Sequence, residues 1–169
     1  IRRVPLKSVA QQASLALHRS WQHWVSVRTA TINALRGTLY EFGVTLAGGK
    51  HAGLKALTTH RAEIDAKIPA TIQRLIDGQL ATLKEIGRRI DELEAEIGVQ
   101  QEQLEEAAKL RKVPGIGLLG ATALAATLGD GGAWKSGREF SASLGLVPAH
   151  SGTGGKARVG HLSKRGDPY

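Results

Sequence analysis

The chain has 169 residues, enough for one domain or two small ones, and a formal net charge of +8. It contains no cysteine, which excludes disulfides and thiolate metal sites within the chain. No apolar run approaches the roughly 20 residues that span a bilayer, and no signal peptide is visible, so we expect a cytoplasmic protein without a membrane partner. The sequence starts without Met and stops inside a motif-like run, so we expect a piece of a longer protein.

The charge is distributed unevenly along the chain. Residues 1–40 carry six Lys or Arg and no acid, residues 41–110 carry nine bases against twelve acids, and residues 111–169 carry eight bases against three acids. Two basic ends around an acidic middle indicate two nucleic-acid contact surfaces joined by a solvated spacer. Ordinary surface charge would give the same totals.

Residues 1–59 are predicted to form a helical segment that ends in a loop. Gly43 predicts the end of the helix, and the three glycines within 44–58 predict the loop. Three arginines recur at eight- or nine-residue intervals, so they share a helix face that is either solvated or follows phosphates. Trp21 and Trp24 are predicted to be core residues rather than base-stacking ones. The helix prediction rests on apolar spacings of mostly three and four, at Leu15, Leu17, Trp21, Trp24, Val25, Ile32, Leu35 and Leu39, and the arginines are Arg19, Arg28 and Arg36.

Residues 60–112 carry the pattern of a coiled coil or helical hairpin. Pro69 is expected to start or kink a helix. A seam this short needs a partner helix, either in the same chain or in a second protomer, so we expect a homo-oligomer, a dimer or tetramer. The apolar positions follow alternating spacings of four and three, at Ile86, Ile90, Leu93, Ile97 and Leu104, with Gln100 at the expected apolar site between the last two, among Glu, Gln, Lys and Arg.

The segment KVPGIGLLGATALAATLGD, 112–130, has the form of a helix-hairpin-helix. Gly115 and Gly117 would let backbone amides face outward at a helix N-terminus, where a nucleic-acid phosphate is stabilised. Arg111 and Lys112, just upstream, would add positive charge. The alternative is a tight corner between two helices, in which the glycines serve geometry alone.

The last nineteen residues, Ser151 to Tyr169, hold five glycines and almost nothing to bury. Glycine lets backbone amides approach a ligand closely, and basic side chains attract phosphates, so we expect a glycine-rich basic loop that binds nucleic acid. The alternative is a disordered basic tail. The four basic side chains are Lys156, Arg158, Lys164 and Arg165.

The order of these motifs resembles a known family. PGIG, then GLVP, then the glycine-lysine run, then SKRGD is similar to the C-terminal domain of bacterial insertion-sequence transposases of family one-ten, closest to its eleven-eleven subgroup. That domain corresponds to residues 113–169, truncated at its end. Residues 1–59 resemble the linker segment after the RNase-H-like catalytic domain of the same family.

The resemblance implies an RNA-guided DEDD/serine recombinase that cuts and rejoins DNA. Its RuvC-like domain, with four acidic metal ligands, would precede Ile1, so magnesium is expected for that domain and no cofactor or metal for this chain. An element-encoded noncoding RNA and DNA are the expected partners, in the bacterial cytoplasm at the nucleoid. We expect no recombination by this chain alone.

The resemblance also assigns roles to residues. The family's nucleophilic serine lies at the start of the glycine-rich run, which corresponds to Ser151, with Thr153 as the alternative because the two hydroxyl residues are split by a glycine here. Lys156 and Arg158 would neutralise the charge that develops on the phosphate. His150 and His161 are candidate proton carriers.

A mainly α protein is therefore expected, with a helical N-terminal segment, a coiled coil or helical hairpin, and a compact domain that holds the helix-hairpin-helix and a Gly/basic loop. The expected function is that of a transposase fragment. The alternative is a noncatalytic helix-hairpin-helix module that binds nucleic acid and dimerises through its coiled coil.

Overall fold

The computed structural model describes residues 6–129, 131–132 and 134–162, and this part of the chain is mainly helical, as predicted. Its one sheet is a two-stranded hairpin near the end of the chain. The elements in chain order are α1 (Val9–Glu41), α2 (Lys50–Thr59), α3 (Arg61–Asp65), α4 (Ala70–Gln103), α5 (Glu105–Leu110), α6 (Leu118–Leu128), α7 (Gly137–Ser143), β1 (Pro148–Thr153) and β2 (Lys156–Leu162).

The chain divides into two compact units. A central unit comprises 20–96, and a terminal unit combines 1–19 with 97–169. The long helices α1 and α4 each contribute to both units. Within the described residues, no helix has both the length and the apolar character that crossing a membrane requires.

In the central unit, the second part of α1 lies antiparallel to α4. At one end the indole nitrogen of Trp21 donates a hydrogen bond of 2.8 Å to Glu94. At the other end Leu35 and Leu39 share an apolar cluster with Ile76, together with residues of α2 and α3. The predicted helix after Pro69 is confirmed, because α4 begins at Ala70. Its seam residues Ile86 and Ile90 are each 2% exposed within the single chain, so their burial needs no second protomer, and pairing between protomers stays a prediction.

The prediction of a loop over 44–58 is wrong, because α2 begins at Lys50. The turn is confined to the first two glycines of this stretch. The third, Gly53, lies inside α2 and is buried, and a Cβ there would lie 2.8 Å from an η nitrogen of Arg36 and 3.0 Å from the carbonyl oxygen of Ala47. This glycine thus serves a close approach between segments, which a composition-based rule cannot distinguish from loop flexibility.

In the terminal unit, the start of α1 packs on α6. The buried face of α6 is made of small side chains, Ala121, Thr122, Ala125 and Ala126, which allow another helix to come close. Gln11 donates a hydrogen bond of 3.1 Å from its side chain to the carbonyl of Ala126. Two turns further along α1 and one turn nearer the start of α6, Nε2 of His18 lies 2.9 Å from Oγ1 of Thr122.

Ser8 and Gln11 cap the start of α1. The backbone amide of Ser8 donates to the side-chain oxygen of Gln11 at 2.8 Å, and the backbone amide of Gln11 donates to Oγ of Ser8 at 3.2 Å. Such a reciprocal capping box fixes where a helix begins. It also holds the carboxamide of Gln11 where its nitrogen reaches α6.

Candidate nucleic-acid interface

The glycine-rich run forms a β-hairpin up to Leu162, where the sequence predicted a loop. Gly154 and Gly155 have φ of 62° and 78° and connect β1 to β2 directly. Two successive residues at positive φ form a hairpin turn whose twist matches that of the flanking strands, and glycine adopts this conformation without strain. The expectation of a loop was wrong over 151–162, because these residues belong to two paired strands and the glycines between them form a turn. Lys164 and Arg165 lie outside the described residues.

The register of the hairpin places hydroxyl groups opposite cations. Ser151 lies opposite Arg158, and Thr153 lies opposite Lys156. Residues directly opposite each other in an antiparallel pair point to the same face, with Cβ atoms about 4.5–5.5 Å apart. Because residues two apart along a strand also share a face, all four side chains belong to one surface, which we call the hydroxyl–cation face.

The four side chains of the hydroxyl–cation face are available to a ligand. Each residue is exposed. Among the residues that the structure describes, none of the four side chains makes a hydrogen bond or ion pair. The cations are therefore not neutralised by acids of the described chain, and the positive charge of this face is directed to solvent.

The other face of the hairpin has different chemistry. Its cross-strand pairs are Pro148 with Leu162, His150 with Val159, and Gly152 with Ala157. His150, a candidate proton carrier, thus lies on the opposite face from Ser151, since successive strand residues alternate. His161 lies in the irregular stretch between the pairs formed by His150 and Pro148.

A bulge ends the regular part of the hairpin. Between the pair formed by His150 and Val159 and the pair formed by Pro148 and Leu162, β1 spans two residues and β2 spans three. Gly160 lies in this stretch, where a Cβ would come within 3.2 Å of the carbonyl oxygen of Ala149. The bulge bends the strands and so orients the hydroxyl–cation face relative to the chain that enters β1.

The PGIG segment forms the predicted turn between α5 and α6. Gly115 has φ of 90°, which a side chain would strain, and Gly117 is the N-cap of α6 without a side-chain cap. The first helical hydrogen bond runs from the amide of Ala121 to the carbonyl of Gly117 at 2.9 Å, so the helix itself leaves the three preceding amides unused. A two-helix corner is therefore present, and its binding of phosphate stays a prediction.

The two cations before this turn differ in what they contact. Arg111 donates a hydrogen bond of 2.9 Å from Nη1 to the side-chain oxygen of Gln101, on the last turn of α4. Lys112 is exposed and is not engaged by any described side chain. Of this pair, Lys112 is the cation that a phosphate could meet without breaking an existing hydrogen bond.

The basic face predicted on α1 is partly used inside the chain. One η nitrogen of Arg36 donates to the carbonyl oxygens of Ala47 at 2.9 Å and Gly49 at 2.6 Å, which holds the turn before α2. Arg89 of α4 lies over the ring of Trp24, at 5.1 Å from its centroid. These contacts stabilise the central unit. Because that η nitrogen of Arg36 already donates to two carbonyls, it has no donor left for a nucleic acid.

The described residues offer no metal site of three or more ligands. No group of three His, Asp or Glu side chains converges in this part of the chain. The resemblance implies magnesium for the RuvC-like domain rather than for this chain, and we assign it to none of the residues described here.

Sequence reasoning missed the pairing of hydroxyl groups with cations. The signal was present in the sequence. Thr153 and Lys156 flank two adjacent glycines, and two glycines between short segments form a hairpin pattern. It also missed that 8–19 pack with α6, because a helix periodicity shows which face is buried and not which element covers it.

Comparison with known proteins finds a family match for part of the chain. Residues 107–169 match the family described as "Transposase IS116/IS110/IS902 family". A probable family 20 transposase of Pseudomonas aeruginosa is 39% identical over 170 aligned positions, which cover 100% of this chain and 50% of that protein. The transposase for insertion sequence element IS1328 of Yersinia enterocolitica is 38% identical over 157 positions, 93% of this chain and 46% of the relative.

A third relative extends the same pattern. The transposase for insertion sequence element IS1111A of Coxiella burnetii is 30% identical over 161 positions, 95% of this chain and 44% of that protein. The chain spans about half the length of the curated relatives it matches. No solved structure matches it. By these similarities, residues 107–169 match the IS116/IS110/IS902 family of transposases, and nearly the whole chain is similar to about half of each of these transposases.

Proposed function

We propose that this chain is the part of an RNA-guided DNA transposase that carries its nucleophile, and that Ser151 is that nucleophile. The observation that carries the proposal is the register of the hairpin, in which Ser151 lies directly opposite Arg158 on an exposed face. Phosphoryl transfer needs a nucleophilic oxygen and positive charge at the same phosphate. This pair supplies both.

In the proposed reaction, Oγ of Ser151 attacks the phosphorus atom of a DNA phosphodiester. The Oγ–P bond forms, and the bond from phosphorus to the leaving deoxyribose oxygen breaks. The hydroxyl proton passes to solvent, which reaches this exposed face, and the leaving oxygen takes a proton from solvent. The product is a covalent protein–DNA ester, which a DNA hydroxyl resolves by the reverse reaction and so rejoins the strand.

Arg158 is the side chain that we propose for charge stabilisation. A guanidinium presents planar paired donors that match two oxygens of a phosphate and stays charged at any physiological pH. Ser151 is favoured over Thr153 as the nucleophile, because a primary hydroxyl meets less steric hindrance on approach to phosphorus. Thr153 also faces Lys156, a point charge without the planar fork.

The remaining partners are proposed from the family resemblance. A guide RNA from the element would choose the target, and magnesium would be held by a RuvC-like domain outside this chain. Exposed cations on the hairpin and Lys112 beside the PGIG turn support contact with nucleic acid. We propose that the whole protein acts as a dimer or tetramer in the bacterial cytoplasm, at the nucleoid.

A covalent-adduct assay tests the nucleophile. The full-length protein, with guide RNA and a labelled DNA substrate, is denatured during the reaction, and label that stays with protein is measured. We expect Ser151→Ala to abolish the adduct and Thr153→Ala to retain it. An adduct that survives Ser151→Ala and disappears with Thr153→Ala would reassign the nucleophile to Thr153.

The second candidate function is a noncatalytic helix-hairpin-helix module that binds nucleic acid. The geometry of the PGIG turn favours it, since Gly115 at φ 90° and the uncapped N-terminus of α6 suit a backbone contact to phosphate. This candidate expects salt-sensitive binding that weakens with Lys112→Gln, and no covalent adduct with any substrate. Adduct formation by the intact protein decides against it.

A further inference from the structure

The hydroxyl–cation face carries a second pair that the proposed chemistry leaves unused. Thr153 and Lys156 flank the Gly154–Gly155 turn and lie opposite each other, two residues from Ser151 and Arg158 along each strand. Both pairs combine a hydroxyl donor with a cation, and both are exposed. The face therefore repeats the same phosphate-binding chemistry twice.

The two pairs are spaced for two phosphates. Two residues along a strand span about 6.8 Å. A phosphorus atom held about 3–3.5 Å from Oγ of Ser151 is in position to react. When that phosphate is centred on the Ser151–Arg158 pair, the Thr153–Lys156 pair lies one two-residue repeat away along the strands and is left for a different group.

The neighbouring phosphate of the same DNA strand fits this spacing. Phosphates on one strand of a duplex rise about 3.4 Å per nucleotide along the axis and also turn around it, so neighbours are separated by roughly twice that rise. The distance between adjacent phosphates thus equals the two-residue repeat of the hairpin. A strand laid along β1 would present one phosphate to each pair.

We propose that Thr153 and Lys156 form a second phosphate subsite, which binds the phosphate next to the one that Ser151 attacks. This inference rests on the proposed function. The hydroxyl of Thr153 donates a hydrogen bond to that phosphate, and the ammonium group of Lys156 supplies its charge, in place of the role at the attacked phosphate that the family resemblance implied for Lys156. The subsite is a positioning device, because it sets which phosphate of the strand reaches Ser151.

The turn geometry supports this role. The two glycines at positive φ hold the last residues of the strands at a fixed separation without a flexible loop between them. A subsite at this end of the hairpin therefore keeps a constant distance from the Ser151–Arg158 pair. A longer loop at the same place would let the two pairs shift independently.

Neutral phosphates test the subsite in the full-length protein with its guide RNA. A methylphosphonate replaces one of the two phosphates adjacent to the scissile one, and the rate of adduct formation is measured. With the unaltered protein, we expect one of the two positions to slow adduct formation about ten-fold, as loss of a charged hydrogen bond does. With natural DNA, Lys156→Gln should slow adduct formation by a similar factor. The same variant should remove the effect of the methylphosphonate at that position.

Matched variants separate the possible outcomes. Lys135→Gln alters an exposed lysine of the same unit outside the hairpin and should leave the methylphosphonate effect intact. Thr153→Val should act as Lys156→Gln does, more weakly. Lys156→Gln could instead slow adduct formation by the same factor on natural DNA and on each methylphosphonate DNA. That result would overturn the subsite while the nucleophile stands. An adduct that persists in Ser151→Ala would overturn the proposed function, and the subsite with it.

Discussion

At the scale of single residues, His18 shows how burial sets protonation. Its side chain is 1% exposed, and desolvation lowers the pKa of its imidazole below the ordinary value. The hydroxyl of Thr122 donates to the carbonyl of Leu118 at 2.9 Å, so its oxygen is the acceptor for the Nε2 proton of a neutral His18. The helix pair α1–α6 therefore favours the uncharged imidazole.

The folded state should lose stability in mild acid because of His18. Since its pKa is lower in the folded than in the unfolded protein, the unfolded state binds the proton more readily as pH falls below about 6.5. We expect the unfolding free energy to fall by at most about 1.4 kcal/mol per pH unit from this group. Urea titrations at pH 7.5 and 5.5 measure it. If the unfolding free energy of His18→Gln changes with pH as much as that of the unaltered protein, other groups cause the pH dependence.

Removing the hydroxyl of Thr122 tests the same contact from α6. Thr122→Val leaves the buried Nε2–H of His18 without its acceptor, which should cost about 1–3 kcal/mol of unfolding free energy. Thr29→Val is the matched control, because Thr29 is exposed and, among the described residues, its hydroxyl bonds only back to Val25 along its own helix. Equal effects of the two changes in urea unfolding would contradict the role of the His18–Thr122 contact.

At the scale of elements, the long helices were predictable and the short elements were not. The apolar spacing predicted α1, and Pro69 predicted the start of α4. Helices of 33 and 34 residues are predictable because they contain many repeats of one period. The helix α2 and the hairpin depend on what individual glycines contact or which φ they adopt. Gly53 is buried against Arg36, whereas Gly154 and Gly155 form a turn, and composition alone treats all three alike.

Two glycine substitutions should have opposite effects on stability. Gly78 lies in α4 with no atom within 4 Å of an added Cβ, so Gly78→Ala should stabilise the protein by about 0.5–1 kcal/mol through helix propensity. Gly53→Ala would place its methyl group against Arg36 and the backbone at Ala47, and we expect a loss of about 1–3 kcal/mol. Thermal unfolding measures the stability of the two variants. A stabilised Gly53→Ala would show that the loop before α2 moves to accommodate the methyl group.

At the scale of the whole molecule, the family resemblance and the fold describe different portions of the chain. The family model covers 107–169, but the terminal unit also takes in the start of α1. Leu15, His18 and Ser14 are each 1% exposed there, and Gln11 bonds to α6. Sequence motifs identified the C-terminal part because they are local, while the contribution of 8–19 arises from contacts across more than a hundred residues.

Deleting 1–19 should therefore disrupt the terminal unit. Without these residues, α6 loses the hydrogen bonds of Gln11 to Ala126 and of His18 to Thr122, and part of its buried face becomes exposed. Hydrogen exchange should show faster exchange of α6 amides in the shortened chain, while amides of α4 around Ile76 stay protected. Unchanged protection of α6 would mean that this helix is held by the rest of the terminal unit alone.

We propose that Ser151, which lies opposite Arg158 on the hairpin, is the residue that becomes joined to DNA. The most direct test maps the attachment site. The full-length protein is allowed to react with guide RNA and DNA, the adduct is digested with trypsin and nuclease, and mass spectrometry locates the residual nucleotide. We predict that it lies on Ser151. A nucleotide on Thr153, or on a residue outside 148–162, would contradict the claim.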